Sequence, residues 1–290
     1  MRNPLPRVAA IHDLSGFGRC SLTVVIPILS TMGFEVCPLP TAVLSAHTAI
    51  PGFQLFDLTP QLPGFIKHWR DLGLRFDGIY SGFLGSAQQA AMVSDFIDAF
   101  SGPDCLVVVD PVMADYGSLY ASMPPEMVGE MRRLCAKAHV ITPNITEAAL
   151  MLERPVPDRL EAEEVKEWLL ALTKLGPAQP VITSLPLVSR PGQSSVAAHN
   201  REDGRFWLAG RPYVPIQYHG TGDMFTSVLT GSLLQGDSLP VALDRSSQFV
   251  ATAIRTTFGY SGLGHHEILL ERAMTSLKTP LESSGYDLLT

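Results

Sequence analysis

Along most of the chain, short runs of consecutive apolar residues rich in Val and Ile alternate with longer stretches in which apolar positions recur every three or four residues. Val8-Ala9-Ala10-Ile11 reads as a first strand and 21–32 as a helix, followed by a strand at 36–39 and a helix at 62–72. The pattern continues with strand 78–80, helix 88–100, strand 106–109, helix 126–137, strand 140–142, helix 161–174 and strand 181–183. The strands are apolar almost without interruption, as expected of a mainly parallel central sheet buried under helices on both faces, an α/β fold. Residues 189–210, rich in Ser, Arg and Gly, read as a loop and a hairpin, and helices over 240–258 and 266–277 close the fold. Neither a linker nor an internal repeat interrupts the pattern, so 1–290 reads as a single domain.

Composition narrows the function classes. The 290 residues are 46% hydrophobic and 17% charged, the balance of a folded globule. A formal net charge of −7, with no basic cluster to reverse it locally, argues against nucleic acid as a partner. No apolar run approaches the roughly 20 residues that span a bilayer, and the N-terminal stretch lacks a signal-peptide core, so a cytoplasmic protein without membrane contact is expected. Cys20, Cys37, Cys105 and Cys135 are scattered and form neither a disulfide framework nor a zinc motif.

The candidate chemistry starts at His219-Gly220-Thr221-Gly222-Asp223, followed at once by the apolar run Met224 to Leu229. Two glycines around Thr221 predict a tight turn that opens a helix, with unpaired N–H groups and the positive helix end aimed at one point, a setting suited to phosphate. Asp223 there is either a helix cap or a base beside an anion hole, and the segment alone leaves both open.

Parallel strands with right-handed crossovers bring their C-terminal ends to one edge, where ligands of open α/β sheets bind. Asp110 follows strand 106–109 directly, and a carboxylate there needs a cation or a donor. Asp115, five residues on, reads as the opening of a turn before Gly117. Asn144 and Glu147, after strand 140–142, have the spacing of a capping box, the reading the spacing itself favours, with an outer hold on hydrated Mg²⁺ as the functional alternative. Thr183 and Ser184, after another strand, would donate to phosphate or to local backbone. The glycines at 16 and 18 lack the third glycine of a dinucleotide fingerprint, and no GxxxxGK[ST] occurs. His47, between a strand and a Pro-Gly turn, carries little weight alone, and His265-His266 reads as a helix start.

Taken together, Ser81-Gly82-Phe83-Leu84-Gly85-Ser86, Asp110-Pro111-Val112-Met113, Thr142-Pro143-Asn144-Ile145-Thr146-Glu147 and Gly220-Thr221-Gly222-Asp223 occur in an order that resembles the ribokinase-like superfamily, and within it the vitamin B6 kinases. The run from Ile11 to Ser21 is similar to bacterial pyridoxamine kinases. The resemblance implies a ribokinase-like fold and transfer of the γ-phosphoryl group of ATP to the 5′-hydroxymethyl of pyridoxal, pyridoxine or pyridoxamine. It implies Asp223 as base, and Gly220, Thr221 and Gly222 as the anion hole. Asp110 and Glu147, with Asn144 behind them, would organise Mg²⁺ and phosphates, and Thr183 and Ser184 would contact the nucleotide. Asp13, Ser45, His47 and Phe83 would form the B6 pocket. ATP and Mg²⁺ are the implied cofactors, with a monovalent cation such as K⁺ a further candidate, and a homodimer is the implied assembly.

Three departures stand out. Ala114 replaces a common glycine, Ala49-Ile50-Pro51 replaces a glycine-rich stretch, and Asp13 stands where relatives carry Ser, a carboxylate that would favour the ammonium group of pyridoxamine. The competing readings are a hydroxymethylpyrimidine kinase of thiamin synthesis and a non-catalytic B6- or nucleotide-binding protein.

Overall fold

The computed structural model describes residues 5–260, 268–278 and 285–289. The first half of the chain runs through β1 (Arg7–Ser15), α1 (Leu22–Thr31), β2 (Glu35–Leu44), β3 (Leu55–Asp57), α2 (Leu62–Asp71), β4 (Gly78–Ser81), α3 (Ala87–Phe100) and β5 (Leu106–Val109). A two-strand hairpin, β6 (Ala114–Asp115) and β7 (Ser118–Leu119), precedes α4 (Met127–Cys135), β8 (Val140–Ile141), α5 (Ile145–Leu152), α6 (Ala162–Thr173) and β9 (Gln179–Leu185). After these come β10 (Gln193–Asn200), β11 (Arg205–Pro212), α7 (Thr221–Leu234), α8 (Leu239–Phe258), α9 (Leu270–Ala273) and β12 (Tyr286–Leu288).

Among the described residues the main sheet has the order β12-β11-β10-β9-β8-β5-β4-β1-β2-β3. Its six central strands, from β9 to β2, are mutually parallel, and antiparallel strands flank them on both sides. Side chains along each central strand alternate between two cores. Ala9 and Ile11 of β1, with Val107 and Val109 of β5, face α2, α3, α4, α5 and α6. Val8, Ala10 and Val108 face α1, α7 and α8. Both faces are therefore dry, which is why these strands read as continuous apolar runs. Among the described residues no helix is long and apolar enough to cross a membrane.

The chain leaves β1 toward β2 and returns on the other side of β1 to form β4, so the direction of strand addition reverses between β1 and β4. That reversal opens a crevice beyond the strand C-termini. Asp13 lies on its β1 side, and Gly82-Phe83 follow β4 on the other.

Several expectations change. Strand β1 runs on to Ser15, past the end expected at Ile11, so Asp13 sits on a strand, where the register with β2 shifts between His12 and Leu14. Strand β2 contains Pro38 and Pro40; β3 pairs only with Ala42–Leu44, so both prolines lie along an open edge, where a missing N–H is tolerated. Strands β3, β6, β7 and β12 are too short to leave a periodic signal. The hairpin expected within 189–210 is β10–β11. Of the closing helix expected at 266–277, residues 270–273 form α9 and 274–278 a 3₁₀ turn, while its start and the pair His265-His266 lie outside the described residues.

Candidate active site

The turn before α7 is built as its glycines predict. Gly220 takes the left-handed conformation, φ 82°, as the residue preceding the helix, and a Cβ on it would fall 2.0 Å from the backbone oxygen of Arg19. Only glycine lets the start of α7 approach the 18–21 loop this closely. Helix geometry leaves the N–H groups of Thr221, Gly222 and Asp223 without intrahelical acceptors, and Thr221 Oγ1 donates to the carbonyl of Tyr218 at 3.2 Å.

Asp223 does not cap its own helix. Its Oδ2 accepts the N–H of Ser21 at 2.8 Å, across 202 positions of sequence. Surrounding protein raises its pKa to about 7; the Ser21 N–H opposes that shift and the nearby Asp13 charge adds to it. A carboxylate poised near neutrality matches the needs of a general base.

Asp110 is 5% exposed, and burial followed by the charge of Asp223 raises its pKa. One turn beyond Asp223 on α7, Thr226 bonds Asp110 Oδ2 at 3.3 Å and Thr142 Oγ1 at 3.0 Å. Thr142 and Thr226 are thus site residues that the sequence reading missed. The i, i+3 spacing from Asp223 is the signal that could have found Thr226.

Asn144 and Glu147 form a full capping box at the start of α5. Asn144 Oδ1 accepts the N–H of Glu147 at 2.9 Å, and Glu147 Oε2 accepts that of Asn144 at 2.9 Å. The same pair clamps the segment after Asp110. Glu147 Oε1 accepts the N–H of Met113 at 3.0 Å, and Asn144 Nδ2 donates to the carbonyl of Ala114 at 2.8 Å. Burial and the charge of Asp110 push the Glu147 pKa up. With both oxygens bonded to backbone, Glu147 holds the segment that follows Asp110. Ala114 is fully buried without a left-handed backbone, so its methyl group is accommodated. Asp115 opens the β6–β7 turn, accepting the N–H of Tyr116 at 2.8 Å, with Tyr116 and Gly117 both at positive φ as a two-residue hairpin turn requires.

The remaining residues divide into two groups. Asp13 is 4% exposed; burial raises its pKa, against the hydroxyl donors of Ser21 at 2.5 Å and Ser15 at 3.3 Å. His47 is buried with its ring 5.0 Å from that of His219, the neighbour of Gly220, which joins the 45–54 loop to the turn before α7. Phe83 is half-buried beside Gly82, whose N–H donates to the carbonyl of Ile11 on β1. Ser45 is exposed, and its Oγ accepts the N–H of Gln54 at 2.8 Å, closing the base of the 45–54 loop. On the far side, Thr183 bonds the carbonyl of Pro143 through its N–H, and Ser184 is exposed with φ 56°. The crevice therefore runs from Asp13 and His47, past Asp223 and Asp110, to Asn144, Thr183 and Ser184.

The family model described as phosphomethylpyrimidine kinase matches residues 69–268. A pyridoxine/pyridoxal/pyridoxamine kinase of Bordetella avium is 31% identical over 261 residues, covering 86% of this chain and 85% of that protein. The crystal structure of pyridoxal kinase from Lactobacillus plantarum superposes with a TM-score of 0.86 at 31% identity, over 94% of this chain and 96% of that one. The chain belongs to the ribokinase-like pyridoxal kinases. A Bacteroides thetaiotaomicron protein described as a phosphomethylpyrimidine kinase is similar to it at 53% identity and a TM-score of 0.94, over 98% of this chain and 99% of that one, in a crystal form with pyridoxal. Membership makes the chain a kinase that phosphorylates a hydroxyl acceptor.

The buried ionisable groups of the kinase set a pH dependence of stability. Unfolded, Asp223 would titrate near 3.8; folded, it does so near 7, so its contribution to stability is full below the lower value and lost as pH rises through the upper. His12, fully buried, is lowered from 6.5 to about 3 and acts in the opposite sense below 6.5, where the unfolded chain takes up the proton more readily. Above 6.5 the carboxylates alone remain. The unfolding temperature of the ligand-free protein is therefore expected to fall between about pH 6.5 and about pH 7.5, and to fall less in Asp223→Asn, as scanning calorimetry would show.

Proposed function

We propose that this kinase transfers the γ-phosphoryl group of ATP to the 5′-hydroxymethyl of a B6 vitamer, with Asp223 as the base. The observation that carries the reading is the pairing of Asp223, a carboxylate poised near neutrality, with the unpaired first-turn amides of α7 beside it. A new bond forms between the acceptor oxygen and the γ-phosphorus, the bond from that phosphorus to the β-phosphate breaks, and ADP leaves. Asp223 takes the hydroxyl proton, while the amides around Gly220, Thr221 and Gly222 stabilise charge on the moving group.

Mg²⁺ fits the donor set. Asp110 is a buried carboxylate under the repulsion of Asp223, the kind of charge a cation stabilises, and Mg²⁺ is commonly held by one or two carboxylates plus waters and substrate phosphates. Bound there, it would neutralise charge on the phosphates. Asp110 would hold it, with Glu147 and Asn144 fixing the Asp110 segment behind. Thr183 and Ser184 would contact the nucleotide, and Asp13, Ser45, His47 and Phe83 would line the acceptor end. These residues lie near or just beyond the C-terminal ends of parallel strands of one sheet, with Glu147 in the first turn of α5, which supports reading 1–290 as a single kinase domain. An ATP-dependent kinase works where ATP is held, in the cytoplasm, and light scattering tests the homodimer that the family resemblance implies.

The test is competition among acceptors. With ATP and Mg²⁺ in excess, equal concentrations of pyridoxal, pyridoxine, pyridoxamine and hydroxymethylpyrimidine are offered together and the products are resolved by mass spectrometry. The reading expects phosphate on the B6 vitamers first, and phosphate on the pyrimidine alone would replace it with the thiamin-pathway reading. Asp13→Ser is expected to lower the ratio of pyridoxamine to pyridoxal turnover by about tenfold, the scale of one charge-assisted contact. An unchanged ratio in single-acceptor assays would remove Asp13 from amine recognition.

A further inference from the structure

Ser21 stands immediately before α1 with φ 49° and ψ −131°, close to the first central position of a type II′ turn, where glycine is the residue at ease. A serine in that place ordinarily caps the helix by accepting a first-turn N–H, and Ser21 makes no such bond. Its polar groups are directed into the active site. The N–H donates to Asp223 Oδ2 at 2.8 Å, and the hydroxyl donates to Asp13 Oδ1 at 2.5 Å. The residue is 6% exposed, so neither bond has much competition from bulk water.

Comparison with glycine isolates what the side chain does. Glycine would offer the same N–H to Asp223 without backbone strain. Serine adds one thing, the hydroxyl bond to Asp13, while keeping a conformation unfavourable to it and leaving the helix uncapped. Strain retained at an active site in this way points to a use for the group that imposes it.

We propose that Ser21 is a positioning residue for phosphoryl transfer, whose turn fixes the base Asp223 and whose hydroxyl ties that base to Asp13 at the acceptor end of the site. The inference rests on the kinase reading given above. One residue donates to both carboxylates, so the group that meets the acceptor and the group that takes its proton share one support. Each donor also favours the ionised form of its carboxylate against burial.

Ser21→Gly separates the possibilities, because it keeps the N–H and removes both the strain and the hydroxyl. The variant is expected to lose about tenfold in kcat/KM for pyridoxal, the loss falling in kcat with the KM for ATP unchanged, while its unfolding temperature stays near that of the wild type because relief of strain offsets the lost bond to Asp13. Ser21→Ala, which retains the strained backbone and loses the same bond, is expected to match that activity loss and to unfold at a lower temperature than Ser21→Gly. In an Asp13→Asn background the further effect of Ser21→Gly should shrink to about twofold, since the bond it removes is already weakened. A wild type that makes no phosphorylated vitamer overturns the kinase reading itself. An active wild type whose Ser21→Gly variant is equally active, or whose Ser21 and Asp13 effects multiply independently, overturns the role of Ser21 and leaves the kinase reading standing.

Discussion

Asp223→Asn is expected to bind a B6 vitamer and remain folded while its kcat falls by about 10³-fold, within the range for loss of a positioned general base. The amide is close in shape to the carboxylate, and its oxygen can still accept the N–H of Ser21, so the start of α7 stays in place. The ability to take up the acceptor proton is lost. Because Asp223 is held near pKa 7 by burial, its kcat/KM in the wild type should rise with pH through about 7, and the residual rate of the variant should lack that limb. The charge of Asp223 in turn raises the Asp110 carboxyl, so the two interact and the limb reports the pair. The same substitution removes a charge that burial disfavours, so the variant should also be the more heat-stable protein at about pH 8. A large loss of activity joined to a gain in stability distinguishes a removed base from a damaged fold.

Gly220→Ala is expected to cost at least about 10²-fold in kcat, the scale set by loss of an oxyanion-type donor, and to lower stability by about 1–3 kcal/mol. Alanine at φ 82° is strained wherever it stands, and here its methyl group would also lie 2.0 Å from the backbone oxygen of Arg19. Either the start of α7 or the 18–21 loop must shift. Both outcomes damage the site, because that loop carries the Ser21 N–H that holds Asp223. Gly222→Ala is the companion variant. Nothing lies within 4 Å of a Cβ at 222, so its unfolding temperature should equal or exceed that of the wild type. Calorimetry of the two proteins, run beside a coupled ADP assay, separates strain in the turn from the simple presence of a methyl group.

The parts of the site that were legible in the sequence are those encoded locally. Gly220 to Asp223 is contiguous, and the helical period after it fixes which way the turn faces. Asp110, Asn144 and Glu147 follow apolar strands directly, and parallel topology alone brings such positions to one edge. The sheet itself was legible because burial on both faces suppresses the alternation of an exposed strand, as the split of β1 and β5 between two cores shows.

What escaped depends on contacts distant in sequence. The bond from Ser21 to Asp223 spans 202 positions, and the meeting of Thr226 with Asp110 and Thr142 depends on α7 reaching the residues that follow β5 and β8. Thr226 sits inside the run from Met224 to Leu229, where its neighbours read as core. The 45–54 loop is closed by Ser45 pairing with Gln54, and the approach of the His47 and His219 rings likewise has no local signature. Proline ordinarily ends a strand, so Pro40, just past the strand expected at 36–39, hid the extension of β2 to Leu44 until its open edge was visible.

The central claim is that this chain moves phosphate from ATP to a B6 vitamer through Asp223. Its most direct test is a single assay with pyridoxal, Mg²⁺ and ATP labelled at the γ position, run in parallel on the wild type and Asp223→Asn. The account predicts label on the 5′-oxygen of pyridoxal with the wild type and a loss of about 10³-fold with the variant. No label on pyridoxal with the wild type, or equal transfer by both proteins, would contradict it.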